Sequence, residues 1–424
     1  MQLVEYPKPQ NYSRLLSRPV INLSEILETV KPVFAKVKSE GDKALKHYSQ
    51  KFDDFTPENM VLSKAELENI AEKCPKELKE AIKTAVSNIE KFHTAQKTET
   101  LVVETMPGVW CRQKTVAIEK VGLYIPGGTA PLFSTVLMLA VPAKIAGCKN
   151  VVLCTPPSKN GLHPAIAFSA LISGIDKIYL VGGAQAIAAM SYGTENIAKV
   201  DKIFGPGNQY VTAAKQLASL EGLAIDMPAG PSEVLVYMDE TANPAFVAAD
   251  LLSQAEHGTD SQVILLCKAK QLIEKVLDEV ENQLNLLPRK EIAQKALENS
   301  KVVVVKSDKE AIDLINFYAP EHLILSVKNY NELETQIFNA GSIFLGNYTP
   351  ESAGDYASGT NHTLPTNAYA KMYSGVSLAS FHKKISIQEI SRKGLQNLGK
   401  TIEIMAEAEQ LMAHKNAVSI RLNS

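Results

Sequence analysis

Histidine, amide and carboxylate side chains recur in this sequence at spacings that suit metal binding and proton transfer. In SQAEHGTDSQ, Gln254 and His257 stand three apart at the end of a predicted helix, just before Gly258. At that spacing both side chains can face one side. A helix-borne imidazole beside an amide carbonyl can ligate a metal. The same histidine would also serve as a plain cap on the helix dipole. Glu321 and His322 are adjacent in YAPEHLIL, at the entrance to a predicted strand. They offer two proton acceptors of different basicity, or simply an exposed polar pair. Asp355 and His362 lie in GNYTPESAGDYASGTNHTLPTN, a long run of small polar residues of the kind that carries function in loops. Asp355 is a candidate carboxylate ligand there, with an Asx turn as the alternative. Glu409 and His414 fall five residues apart in the terminal helix. Five residues turn a helix through about 500°. The two therefore share no face unless the helix kinks or both line one enclosing cleft.

Three glycine turns follow predicted strands: PGG at 126–128, GG at 182–183 and GPGN at 205–208. Such turns let backbone N–H groups approach a phosphate. None is a G-x-G-x-x-G, so the dinucleotide fingerprint is incomplete. Each alone reads equally as a tight βα turn. Three in succession favour a nucleotide, because ligands collect at the carboxyl ends of parallel strands.

These residues need elements to hold them. From residue 121 short β-branched runs alternate with alanine-rich amphipathic stretches, as in VGLYI, NVVLC, KIYLV and KIF, then EVLVYM, SQVILLC, KVVVV, HLILS and SIFLG. That alternation is the pattern of an α/β fold with parallel sheets, and continuous apolar strands agree with burial on both faces. There are too many strands for one sheet, so two units are expected, with a break near AGPS at 229–232. The first hundred residues read as helical, with helices over 22–38 and 76–97 and a capping box at Ser63 and Glu66. No strong strand is expected before 101–104, and none after 386.

The 424 residues are 45% hydrophobic and 21% charged, which excludes wholesale disorder. Lys plus Arg is 44 against 46 Asp plus Glu, so no nucleic-acid or membrane-surface partner is expected. The start, MQLVEYPKPQ, lacks the pattern of a secretory leader. The apolar run at 136–143 is too short for a bilayer span. Five scattered cysteines without a C-x-x-C pair suggest a reducing, cytoplasmic setting.

Together, VGLYIPGG, GGAQAIAAMSYGT, KIFGPGNQYV, DMPAGPSEVLV, LLSQAEHG, YAPEHL, GDYASGTNHTLPT and AEAEQLMAHKNAV resemble the histidinol dehydrogenase family, in the family's order from about 121 to 418. The resemblance implies two Rossmann-like units with helical N- and C-terminal segments. It implies a zinc- and NAD-dependent oxidation of L-histidinol to L-histidine through L-histidinal, the last step of histidine biosynthesis. The zinc ligands it implies are Gln254, His257, Asp355 and His414, and the proton acceptors are Glu321 and His322. It assigns substrate binding to Ser232, Gln254, His257, His322, Asp355, Glu409 and His414, and NAD contacts to Tyr124, Gln185 and Asn208. It also implies a homodimer whose C-terminal helix completes the partner's site. The expected division is an arm at 1–24, a first α/β domain from 25–120 and 233–380 carrying most metal and substrate residues, an NAD-side domain at 121–232, and a helical dimerisation segment at 381–424. Aldehyde oxidation often uses a cysteine thioester, for which Cys111, Cys148 and Cys154 are candidates; attack by water is the expected route. A metal-free aldehyde dehydrogenase and a non-catalytic metabolite-binding protein are the rival readings.

Overall fold

The apolar runs after residue 120 do pair in parallel, in two separate six-stranded sheets. The computed structural model describes residues 1–19, 23–127, 130–228, 230–268 and 270–424. Gly128 of the first glycine turn and Ala229 of AGPS lie outside them.

The first sheet runs Val61–Leu62, Ile178–Leu180, Asn150–Thr155, Lys120–Tyr124, Lys202–Phe204, Ala224–Ile225, and only its 61–62 edge is antiparallel. The second runs Gln2–Glu5, Lys301–Val304, Gln262–Cys267, Glu233–Met238, His322–Ser326, Ser342–Leu345, parallel throughout. Both share one plan. The first strand of each five-strand run is central, two successors build out on one side, and the last two on the other. The order reverses beside Lys120–Tyr124 in one sheet and beside Glu233–Met238 in the other. Strands Glu233–Met238 and Gln262–Cys267 are buried at every position, as double-sided covering requires.

The helices between residues 23 and 94 cover the first sheet, whereas the short helix Tyr12–Leu15 packs on the second. Val30 and Phe34 of Leu23–Glu40 share a core with Ile187 and Val211. Leu67 and Ala71 of Lys64–Glu72 pack with Ile166 and Ala170. Ile82 and Val86 of Lys76–Thr94 pack with Leu137 and Val141. Residues 25–94 are thus grouped with 121–225, against the expected division, because an amphipathic face does not encode which of two apolar sheets it meets. The capping box at Ser63 and Glu66 forms.

Five strands appear that the sequence did not announce, Val109–Ala117 and Ala224–Ile225 among them. Gln2–Glu5 and Val61–Leu62 are too short and polar to announce themselves; pairing with Lys301–Val304 and Ile178–Leu180 makes them strands. His382–Ile390 pairs antiparallel with Val109–Ala117, which also pairs with Leu101–Met106. The segment 381–424 therefore begins as a mostly exposed strand, whose HKKISIQEI offered no buried run. Helices Arg392–Ala408 and Met412–Leu422 follow as an antiparallel hairpin, with Lys415 Nζ 2.9 Å from Glu407 Oε2 and Gly399 against Leu422. Between them Gln410 takes a left-handed φ of 60°.

Gly205 holds φ at +130°, and a Cβ there would lie 2.1 Å from the Tyr124 carbonyl oxygen. Gly205→Ala is expected to cost at least about 2 kcal/mol from backbone strain and this clash. Urea denaturation measures it, and an unchanged midpoint would contradict the tight approach of these two strands.

Candidate functional site

The two sheets meet end to end with opposite polarity. The first presents the carboxyl ends of its strands, where Tyr124 closes Lys120–Tyr124 and Asn208 follows Lys202–Phe204. The second presents amino ends: Ser232 precedes Glu233–Met238, and His322 opens His322–Ser326. The helix Pro244–Ala255 runs back along its sheet, so Gln254 and His257 arrive at the same end.

Two cavities occupy this junction. One, of about 1060 Å³, is lined by Ser232, Gln254, His257, Glu321, His322 and Asp355. The other, of about 1080 Å³, is lined by Tyr124, Gln185 and Asn208. Pro126 and Asn208 border both, so the cavities adjoin. With His362, which also lines the first cavity, the structure therefore brings together ten of the residues singled out from the sequence. It does not bring in Glu409 or His414. Both are exposed at the tip of the C-terminal hairpin, and neither lines either cavity.

His322 is the centre of the first cavity's polar wall and is only 3% exposed. Its Nε2 lies 3.3 Å from Asp355 Oδ1, and its Nδ1 lies 3.6 Å from Glu321 Oε2 and 3.2 Å from the Glu233 carbonyl oxygen. Burial pushes the imidazolium down, but Glu321, Asp355 and Glu351 outweigh it and hold the group well above the ordinary histidine range. Asp355 is raised by burial, yet its proximity to His322 holds its carboxyl below the usual value. Glu321 accepts a hydrogen bond from the Glu233 N–H at 2.9 Å, which aims its carboxylate.

Glu351 escaped the sequence reading. It is 1% exposed, accepts from the Gln254 amide nitrogen, and stands within 4.8 Å of both His322 and Asp355 through their ligating atoms. Burial, then the neighbouring carboxylates, push its carboxyl up to about 8. The signal was present: Glu351 and Asp355 are four apart in ESAGDY, and the stretch read as a loop contains the short helix Glu351–Tyr356. His362 is also close, its Nδ1–H donating to the Asp355 carbonyl oxygen at 2.9 Å.

Gln254 Oε1 is buried without a hydrogen-bond partner in the first cavity, and His322 Nε2 and Asp355 Oδ1, 3.3 Å apart, have none beyond each other. Buried polar atoms are nearly always paired. Oxygen and imidazole donors converging in this way suit a borderline dication. In the second cavity both amide atoms of Gln185 are buried and unpaired, though the residue is 1% exposed. Tyr124 Oη is held by the Gly183 N–H at 3.0 Å, and Asn208 Oδ1 caps the helix Gln209–Leu220. The order of the first sheet reverses between the strands that carry Tyr124 and Asn208, where nucleotides bind in open α/β sheets.

Behind the site, Arg18 makes a two-pronged pair with Glu233, donates to the Tyr318 carbonyl at 2.8 Å and stacks over the Tyr318 ring. Arg18→Ala would leave Glu233 buried without its counter-charge. A loss of about 3 kcal/mol is expected in denaturant unfolding; a loss under about 1 kcal/mol would show that Glu233 is compensated otherwise.

The sequence model of the family described as histidinol dehydrogenase matches residues 16–422. A histidinol dehydrogenase of Bacteroides thetaiotaomicron is 59% identical over 425 residues, covering 100% of this chain and 99% of the relative. That of Escherichia coli strain K12 is 54% identical over 414 residues, covering 97% and 95%. A crystal structure of histidinol dehydrogenase from Elizabethkingia anophelis superposes with a TM-score of 0.97 at 55% identity, covering 100% of this chain and 98% of that one.

Proposed function

The chain belongs to the histidinol dehydrogenase family, and on that premise we propose that it oxidises L-histidinol to L-histidine in two NAD-dependent hydride transfers at one zinc-bearing site, through L-histidinal. The observation that carries this reading is the junction of the two cavities at Pro126 and Asn208. It lets a dinucleotide in one face a small polar substrate in the other. The unpaired amide of Gln185 and the hydroxyl of Tyr124 supply ligand contacts on the dinucleotide side.

The unpaired buried oxygen of Gln254 and the carboxylate of Asp355, answered only by His322, fit a divalent ion. Gln254, His257 and Asp355 would hold zinc, with His414 from a second copy of the chain. Zinc there would position the amine and imidazole nitrogens of histidinol and polarise its oxygen. Ser232 and the ligand residues of one chain, with Glu409 of a second copy, would line the space left for substrate. In the bare protein the carboxylates of Glu321, Asp355 and Glu351 favour a proton on His322; a dication answering those carboxylates would release it, and the neutral imidazole takes the hydroxyl proton during the first hydride transfer. Glu321 takes a proton from water as it adds to the aldehyde, and a second NAD accepts the second hydride. No cysteine lines either cavity among the described residues, and burial pushes the Cys154 thiol up and away from thiolate formation. That favours water over a thioester.

The hairpin tip supports a shared site. Glu409 ends one helix and His414 lies in the first turn of the next, across the turn at Gln410, so both can point the same way despite their five-residue spacing. Ile404, Met405, Leu411, Met412 and Ile420 are exposed on the hairpin, as are Leu101, Val102 and Val103 on its supporting sheet. An apolar surface of that kind fits burial against a second copy. No helix among the described residues is long and apolar enough to cross a membrane, and the five cysteines are unpaired.

With histidinol and NAD, zinc-loaded protein is expected to form two NADH per histidinol, and removing zinc should lower the rate by roughly 100-fold or more. Absorbance at the NADH band reads this, and no NADH from loaded protein would end the reading. The shared site is tested by mixing Glu321→Gln and His414→Ala chains after denaturation. Each variant alone should be nearly inactive, while hybrids carry one intact site and restore about a quarter of wild-type activity. A mixture as inactive as its components would mean that each chain completes its own site.

A further inference from the structure

Asp53 ends the helix Asp42–Phe52 and lines the same cavity as Tyr124, Gln185 and Asn208. Its Oδ2 is buried with no hydrogen-bond partner, and burial pushes its carboxyl up to about 6. A carboxylate oxygen left this way costs stability in the bare protein. A hydroxyl donor brought by a ligand would offset that cost.

Position along the cavity says which part of the ligand this is. The nicotinamide must reach the substrate cavity, and so lies at the border formed by Pro126 and Asn208. Asp53, Phe52 and Lys159 line only the dinucleotide cavity and not its neighbour. The adenosine half therefore falls to their share. In a parallel nucleotide-binding sheet an acidic residue commonly receives the ribose hydroxyls after the second strand. Here that strand, Asn150–Thr155, runs into Pro156 and Pro157, with no acid to do so. The helices of 23–94 that cover this sheet bring a carboxylate to the same cavity from outside the strand–helix alternation. Lys159, the cation at this end, is engaged by Asp54 at 2.7 Å and so does not stand free for a phosphate.

We propose that Asp53 accepts hydrogen bonds from the adenosine ribose hydroxyls of the dinucleotide and thereby selects NAD over its 2′-phosphorylated form. This rests on the NAD reading above. A 2′-phosphate would both remove a donor and set a dianion beside a carboxylate.

The test compares Asp53→Asn with wild type as zinc-loaded full chains, using NAD and NADP as the probes. Asparagine keeps the shape and removes the charge. KM for NAD is expected to rise ~10-fold or more, as loss of charge-assisted hydrogen bonds predicts. The preference for NAD over NADP should fall at least as far, while kcat and KM for histidinol change by less than about threefold. Asp53→Ser is the second variant, and the same split is expected of it. A KM for NAD within about twofold of wild type, with the preference unchanged, would overturn this inference and leave the NAD reading standing. A wild type that forms no NADH would overturn the NAD reading and this inference with it.

Discussion

Three carboxylates and one imidazole share a space from which water is largely excluded. Glu321, Glu351 and Asp355 surround His322, and buried like charges of this kind persist only where positive charge answers them. Part of that charge is the proton on His322. Another part is Arg18, one layer back, which neutralises the carboxylate of Glu233, whose backbone N–H holds Glu321. The remaining unpaired oxygens are what a dication would satisfy. Much of the surrounding architecture follows from keeping this group dry, charged and fixed: strand starts at Glu233 and His322, a helix end at Gln254, and a single helical turn carrying Glu351 and Asp355.

The opposed polarity of the two sheets solves a separate problem. Carboxyl ends of parallel strands with their glycine turns suit a long dinucleotide. Amino ends leave short, rigid strand entrances on which acidic and basic side chains can be set a few ångströms apart. Facing one against the other gives adjoining cavities with different chemistry, bounded by shared residues at Pro126 and Asn208. One sheet plan, used twice in opposite senses, provides both.

What was legible in the sequence was local. Gln254 with His257, and Glu321 with His322, sit close along one element, so their spacing alone suggested joint chemistry. The central strands were legible because burial on both faces makes them continuously apolar. Edge strands such as Gln2–Glu5 and His382–Ile390 were not, since only their partners make them strands. The helices between 23 and 94 were visible, but not the sheet they cover. Glu351 was hidden because polar small residues read as loop, although its spacing from Asp355 was a clue. Asp53 carried no signal at all, since its meaning comes from a cavity wall assembled from distant segments. Glu409 and His414 looked out of phase only while the terminus was read as one straight helix.

The chain passes between the two sheets three times: after Gln2–Glu5, before Glu233–Met238, and between Ser342–Leu345 and Phe381, which stacks on Phe204 of the first sheet. Glu233 joins all three passages. It stands at the end of the second, pairs with Arg18 of the first, and accepts from the Asn367 N–H of the third at 2.9 Å. One buried carboxylate thus acts as a rivet through three layers of chain. A hinge needs connections that bend independently, and these do not. The cleft is built as a fixed vice, and the reaction proposed above would let a cofactor change places in one chamber without loosening the grip of the other.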